Sequence, residues 1–276
     1  QGYEATYLAV DHVGRVQTQT LLDAIREDTL LVSVMMVNNE IGALEDIRTL
    51  AAAAKKKKPD ILFHVDAIQA YGKYKIQPKK LGIDLLSVSG HKIHGPKGVG
   101  FLYVKEGTKI SPIIWGGGQQ KGMRSGTENV PGIAGLGVAV QQIYQEHSRK
   151  TEALYALKKH LIERMQKLPD VTVNGVGELS VEETAPHIVS VSFAGIKSEV
   201  MLHALAAKGV YVSSGSACSS NHPDLSGTLQ AVGVDDALLD STLRFSFSVT
   251  TTMDEVDYAA DQVEAVLPQL RRFIRK

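Results

Sequence analysis

A chain of 276 residues with 43% apolar and 22% charged side chains is long enough to bury a sizeable core and has the make-up of a soluble globular protein. Its 30 basic and 30 acidic residues cancel, which leaves no electrostatic footprint for nucleic acid or an anionic membrane surface. The single cysteine excludes a disulfide framework within the chain and fits a reducing, cytoplasmic setting, and no apolar run reaches the length of a membrane span.

Residues Ala5 to Val10 alternate as a strand does and arrive with no element before them, so the chain is expected to begin inside a longer protein. Leu21 to Glu27 reads as a helix and Leu30 to Val37 as a buried strand. Asp46 to Lys57 is alanine-rich and helical, with Lys55 to Lys58 at its solvated end, where cations meet the negative end of the helix dipole. Ile61 to Val65, Leu85 to Val88 and Gly100 to Val104 read as further strands. Apolar strands alternating with helices imply an α/β fold whose mostly parallel sheet is covered on both faces. Ligands bind beyond the carboxyl ends of such strands, which puts Asn38, Asn39, Asp66 and Lys92 on one rim. A loop containing Gly116-Gly117-Gly118 leads into one long, bent helical stretch, Gly132 to Leu168. A boundary near Ser148 divides a large domain, 1–147, from a smaller α+β domain, 148–276. The latter reads as strands at Val171 to Val173, Ile188 to Phe193, Val210 to Val212 and Leu243 to Phe247. Its helices read as Ser198 to Ala207 and Met253 to Arg272, the last containing Pro268.

Chemistry concentrates in two places. Lys92 stands in Ser89-Gly90-His91-Lys92 at the mouth of a strand, where a desolvated amine can lose its proton and attack an aldehyde. Cys218 stands in Ser214-Gly215-Ser216-Ala217-Cys218, a setting of small polar residues that favours an accessible thiol over an inert core cysteine. An amine for a cofactor aldehyde and a thiol for a substrate point to sulfur chemistry on pyridoxal phosphate (PLP). Such a cofactor needs a carboxylate at its ring nitrogen, for which Asp66 at a strand end is the candidate; the competing reading of Asp66 is a helix cap. Gln69 and Asn39 are candidates for the phenolic oxygen, and Ser89, His91 and Thr127 for the phosphate. His64 and His94 read as a sheet and a turn histidine, and the scattered histidines form no metal set.

The strings Val37-Asn38-Asn39-Glu40-Ile41-Gly42, His64-Val65-Asp66-Ala67, Ser89-Gly90-His91-Lys92, Gly95-Pro96-Lys97-Gly98, Arg124-Ser125-Gly126-Thr127 and Ser214-Gly215-Ser216-Ala217-Cys218 occur in an order that resembles the cysteine desulfurases. These are PLP proteins of fold type I in the class V aminotransferase group, and the cysteine motif resembles their long-loop branch, which serves iron–sulfur cluster assembly. The resemblance implies conversion of L-cysteine to L-alanine, with Lys92 as base and Cys218 taking the sulfur as a persulfide for a cluster scaffold or another sulfur acceptor. It implies that Arg244 clamps the substrate carboxylate, and that Asn39 contacts the substrate as well as the cofactor. It also implies that Thr127 reaches the phosphate of the opposite subunit of a homodimer. The family's upstream phosphate turn and ring-stacking histidine are not found, so this chain is expected to bind PLP weakly or not at all and to lack full activity. Two other readings stand beside this one: a PLP-dependent aminotransferase or lyase acting on another amino acid, and a non-catalytic fold fragment that binds a sulfur-acceptor protein.

Overall fold

The computed structural model describes residues 2–214 and 225–272. They form two compact units, one made of Ile25–Met36 and Asp46–His147, the other of Gln1–Ala24, Val37–Glu45 and Ser148–Lys276.

The first unit holds a four-stranded sheet of β1 (Leu31–Met35), β2 (Leu62–Asp66), β3 (Leu85–Ser89) and β4 (Gly100–Val104), in that order. The first three strands are parallel and β4 runs antiparallel at the edge. The register sets Val32 beside Phe63 and Val34 beside Val65, and these side chains, with Leu86 and Val88, are buried. The opposite face is half-exposed, whereas both were expected to be covered. Leu31 stays 47% exposed there, and a polar chain crosses the strands, Ser33 Oγ to His64 Nδ1 and His64 Nε2 to Ser87 Oγ, each at 2.8 Å. Ser33, His64 and Ser87 share that face with Leu31, Leu62 and Leu85, which stand two residues before them.

Helix α2 (Ile47–Lys57) follows β1 in the sequence. Asp46 caps it by accepting from the Thr49 N–H at 3.1 Å, and Ile47, Leu50, Ala51 and Ala54 form its buried stripe. Three lysines close its last turn, and Lys55 is not simply solvated, because it pairs with Asp84. Asp84, buried just ahead of β3, also accepts from the Phe63 N–H at 2.9 Å and from Lys105 at 3.1 Å. Burial pushes its carboxyl up, yet the donors on Lys55, Phe63 and Lys105 outweigh burial and hold it below the usual carboxylate range.

The region expected as one long helix is two, α4 (Val130–Tyr144) and α5 (His147–Met165), after the short helix α3 (Pro78–Leu81). Gln145 is extended and Glu146 left-handed (φ 52°), and two such residues end the hydrogen-bond ladder.

The second unit opens with α1 (Thr18–Ala24) and carries an antiparallel sheet. Its strands are β5 (Val171–Asn174), β6 (Ile188–Phe193), β7 (Ser213–Ser214) and β8 (Thr242–Ser246), in the spatial order β5-β6-β8-β7. Its helices include α6 (Ser198–Ala206), α7 (Gly227–Ala231), α8 (Asp236–Leu239) and α9 (Met253–Arg271), the last running through Pro268. Val189, Val191 and Phe193 of β6 join Leu157 and Leu161 of α5 and Val256 and Val263 of α9 in one apolar core. The other face of β6 is also buried but polar: Asn174 donates to Ser192 Oγ at 2.8 Å, which pairs with Thr242 Oγ1 at 2.7 Å.

Two expected strands are corrected. Residues 5–10 have no regular structure, and Tyr7 is 94% exposed, because alternation without a neighbouring strand leaves the backbone no ladder to join. Residues 210–212 are unpaired, and pairing to β8 begins only at Ser213.

Candidate cofactor and substrate site

The carboxyl ends of β2 and β3, adjacent and parallel, bring Asp66 and the Ser89–Lys92 turn to the same edge of the first sheet. Asp66 and Ser89 share the half-exposed face with His64 and Ser87, since residues two apart in a strand point the same way. One carboxylate oxygen of Asp66 accepts from the Ile68 N–H at 2.8 Å, which starts the turn that carries Gln69, a buried residue. No helix follows Asp66, so it caps none; with one oxygen it shapes a turn.

Lys92 sits half-buried in a short 3-10 helix, Gly90–Ile93, which closes on His94 in the left-handed region (φ 65°). The Gly90 N–H donates to the Val99 carbonyl at 2.8 Å, and the Gly95 N–H donates to the Gly90 carbonyl at 2.9 Å. A side-chain carbon at Gly90 would lie 2.9 Å from the Val99 oxygen, and one at Gly95 would lie 2.9 Å from the Gly90 oxygen. Only glycine allows this approach. Small residues of α4 pack against the same turn, with Ala139 facing Gly95 and Gly135 facing Pro96. Ser89 Oγ and His91 Nδ1 are bonded at 2.7 Å, and His91 is exposed.

Lys73 was not anticipated from the sequence. It is buried, and its ammonium donates to the carbonyl of Lys92 at 3.0 Å. Burial pushes the Lys73 amine down to about 8, and the positive charge of Lys92 adds to the shift. The only advance signal was a lysine inside the turn after Asp66 in an otherwise apolar setting. His64 bridges two serines across the sheet and burial lowers its pKa, in keeping with a structural histidine; His94 is an exposed turn residue.

Thr127 lies exposed on the loop between β4 and α4. That loop is built on itself: the Gly117 N–H donates to Ser125 Oγ at 2.8 Å, and Arg124 donates to the Gly126 carbonyl at 2.6 Å.

Asn39 and Arg244 come together in the second unit. Arg244 of β8 donates through Nη1 to the Asn39 carbonyl at 2.7 Å, through Nη2 to Ser213 Oγ at 3.3 Å and through Nε to Ser246 Oγ at 3.2 Å. Asn38 shapes the turn, its side-chain oxygen accepting from the N–H groups of Glu40 at 2.8 Å and Ile41 at 3.0 Å. Cys218 lies outside the described residues.

The side chains at the ends of β2 and β3 suit pyridoxal phosphate. They supply an amine on a rigid turn, a carboxylate with one oxygen outside its own turn, a buried amide and a hydroxyl–imidazole pair. Among the described residues no helix is long and apolar enough to cross a membrane.

The family profile described as aminotransferase class-V matches residues 1–259. A cysteine desulfurase IscS from Methanosarcina thermophila is 42% identical over 271 residues, covering 98% of this chain and 66% of the relative. A solved NifS-like protein superposes with a TM-score of 0.88 at 36% identity, covering 98% of this chain and 69% of that one. SspA, solved in complex with cysteine, gives a TM-score of 0.74 at 31% identity, covering 91% of this chain and 68% of its own. The chain therefore spans about two thirds of the length of these relatives, and its α/β architecture is that of PLP fold type I. With Asp66 and the Lys92 turn at the ends of neighbouring strands and nearly its whole length matched by these proteins, the chain belongs to the class-V aminotransferase family, in the branch of the cysteine desulfurases.

Proposed function

We propose that the protein is a PLP-dependent cysteine desulfurase that converts L-cysteine to L-alanine and stores the sulfur as a persulfide on Cys218. The observation that carries this reading is the meeting of Asp66 and the Lys92 turn at the ends of neighbouring parallel strands, in a chain of this family. Pyridoxal phosphate, when bound, supplies an electron sink for negative charge on the substrate carbons. Lys92 holds the cofactor and moves the proton at the substrate α-carbon. Asp66 serves the ring nitrogen, Gln69 and Asn39 the phenolic oxygen, and Ser89, His91 and Thr127 the phosphate. Arg244 binds the substrate carboxylate. The Cys218 thiolate bonds to the substrate sulfur as the carbon–sulfur bond breaks. The bonding pair stays with the carbon, which takes up a proton, so L-cysteine and a thiol become L-alanine and a persulfide with no outside oxidant.

In this reading the cofactor is served chiefly from residues 1–147, the thiol comes from 148–276, and the protein is a cytoplasmic homodimer. An iron–sulfur scaffold or another acceptor protein takes the sulfur. The cysteine bound to SspA supports the choice of substrate.

The test is to add PLP, record the visible spectrum, reduce with borohydride, map the labelled peptide, and assay alanine from L-cysteine. At saturating PLP the expected outcome is a label on Lys92, slow alanine release, and loss of that release in Cys218→Ala. Amino transfer to a keto acid that survives in Cys218→Ala would favour an aminotransferase instead. Binding of an acceptor protein without alanine would favour a scaffold.

A further inference from the structure

Asp66 and Lys92 are carried on separate turns, and one buried side chain ties those turns together. The chain bends directly after Asp66. One Asp66 oxygen accepts from the Ile68 N–H, and the Ala67 N–H donates to the Ser87 carbonyl of β3 at 3.0 Å. The Tyr71 N–H then donates to the Ala67 carbonyl at 2.7 Å, and the Lys73 N–H to the Ala70 carbonyl at 3.0 Å. A continuous run of turn hydrogen bonds thus fixes the Lys73 backbone relative to Asp66.

Packing presses this segment against the Lys92 turn. Gly72 is left-handed (φ 82°), and a side-chain carbon there would lie 3.0 Å from Ile93 Cγ2 and 2.8 Å from Ile143 Cγ1. Ile93 follows Lys92 in the 3-10 helix, and Ile143 belongs to α4. The Gly72 N–H donates to the Tyr144 hydroxyl at 3.2 Å, and that hydroxyl donates to the Tyr74 carbonyl at 3.2 Å. Lys73 lies between these two anchored residues, and its ammonium donates to the Lys92 carbonyl at 3.0 Å. The closing carbonyls of a short helix run out of backbone N–H groups, and a cation suits that end. Filling the gap between two turns needs no charge, since a methionine has nearly the same reach and avoids the cost of burying an ammonium. A charge-assisted hydrogen bond to one carbonyl fixes position in a way that an apolar contact does not. The charge of Lys92 helps to push the Lys73 amine down, so the two amines are within electrostatic reach of each other.

We propose that Lys73 is a positioning residue for Lys92: by holding the Lys92 carbonyl it couples the turn that carries the amine to the segment that carries Asp66. A cofactor served at its ring nitrogen by Asp66 and at its aldehyde by Lys92 needs those two groups in a fixed relation, and a small displacement of either slows the reaction. The proposal rests on the reading of Lys92 as the cofactor lysine. Lys73 touches neither substrate nor cofactor in it.

The experiment adds PLP to the parent and to Lys73→Met, Lys73→Gln, Lys73→Arg and Lys158→Met, and follows the rate at which borohydride traps label on Lys92. Lys73→Met loses the donor and Lys73→Gln is too short to bring one to the carbonyl, so both are expected to label about tenfold more slowly. Lys73→Arg keeps a donor with the necessary reach and should recover about half of the parent's rate or more. Lys158→Met removes a buried ammonium from the other unit and should label at the parent's rate, which separates positioning from loss of stability. Labelling within about twofold of the parent, in whichever of Lys73→Met and Lys73→Gln is folded, would overturn the proposal, as would an equal loss in Lys158→Met. A parent that takes no label at saturating PLP would overturn the reading of Lys92 as the cofactor lysine instead. Amide exchange without PLP then decides Lys73 through His94 and Gly95, whose N–H groups both donate to the Gly90 carbonyl. Exchange about fivefold faster there in Lys73→Met, with β6 unchanged, supports the tie, and equal rates overturn it.

Discussion

Lys73, Lys92 and Lys158 carry the same amine in three settings, and burial separates them. Lys92 is half-exposed on its turn, while Lys73 is buried behind it and donates to its carbonyl. Lys158 is wholly buried between α5 and the stretch before β6, where it donates to Thr184 Oγ1 at 2.7 Å and to the Ala185 carbonyl at 2.8 Å. Burial pushes the Lys158 amine down to about 7. In the unfolded chain it returns to the ordinary lysine range near 10.4. Between those values the unfolded chain binds the extra proton, so this residue's cost to stability is full below about 7 and fades as pH rises towards 10. The stability difference between the parent and Lys158→Met should therefore move in the parent's favour from pH 7 to pH 10, whatever constant offset the lost hydrogen bonds add. Thermal unfolding across that range checks it, and a difference that does not move with pH would show that the buried amine keeps its charge.

At the scale of elements, the turn bearing Lys92 is shaped by its neighbours more than by its own sequence. Gly100 of β4 pairs with Ser89, and a side-chain carbon there would lie 2.3 Å from the Val88 carbonyl oxygen. No real side chain tolerates that contact with backbone, so either β4 or the end of β3 must shift. Gly100→Ala is expected to lower stability by about 1–3 kcal/mol, the usual range for overpacking. It should also reduce the PLP trapped on Lys92 by borohydride. A urea midpoint equal to the parent's, with full trapping, would show that the edge strand moves aside at no cost. The same element view explains part of α4: Gly132, Gly135 and Ala139 pack against the glycine-rich turn and the residues just after it.

At the scale of the molecule, the loop between β4 and α4 exposes Ile113 (91%) and Trp115 (77%) beside the hydrogen-bonded turn that carries Thr127. Apolar side chains grouped this way on a surface mark an interaction site. That accords with the proposed homodimer, in which Thr127 serves the opposite subunit. Sedimentation should give twice the mass of one chain, and Trp115→Glu should shift the population towards a single chain. A parent that sediments as one chain would remove the homodimer from the proposal.

The sequence by itself determined most of the strands and helices, because apolar period and capping are local: Asp46 before an alanine-rich run announced α2, and alternating serines and valines marked β6. It also determined the candidate chemistry, since an amine, a carboxylate and a thiol in these small-residue motifs are recognisable without contacts. It misread residues 5–10 and 210–212, where the pattern of a strand was present but no partner strand supplied hydrogen bonds. It merged α4 with α5, because the break depends on the extended backbone of Gln145 and the left-handed one of Glu146. Only the tertiary structure decided which distant residues meet. It seated Lys73 under the carbonyl of Lys92, joined Arg244 to Asn39, and set the carboxylate of Glu40 against Ser226 and Thr228. Those pairings join residues 19 to 205 positions apart, and no period or spacing along the chain encodes a hydrogen bond made only after the sheets have closed.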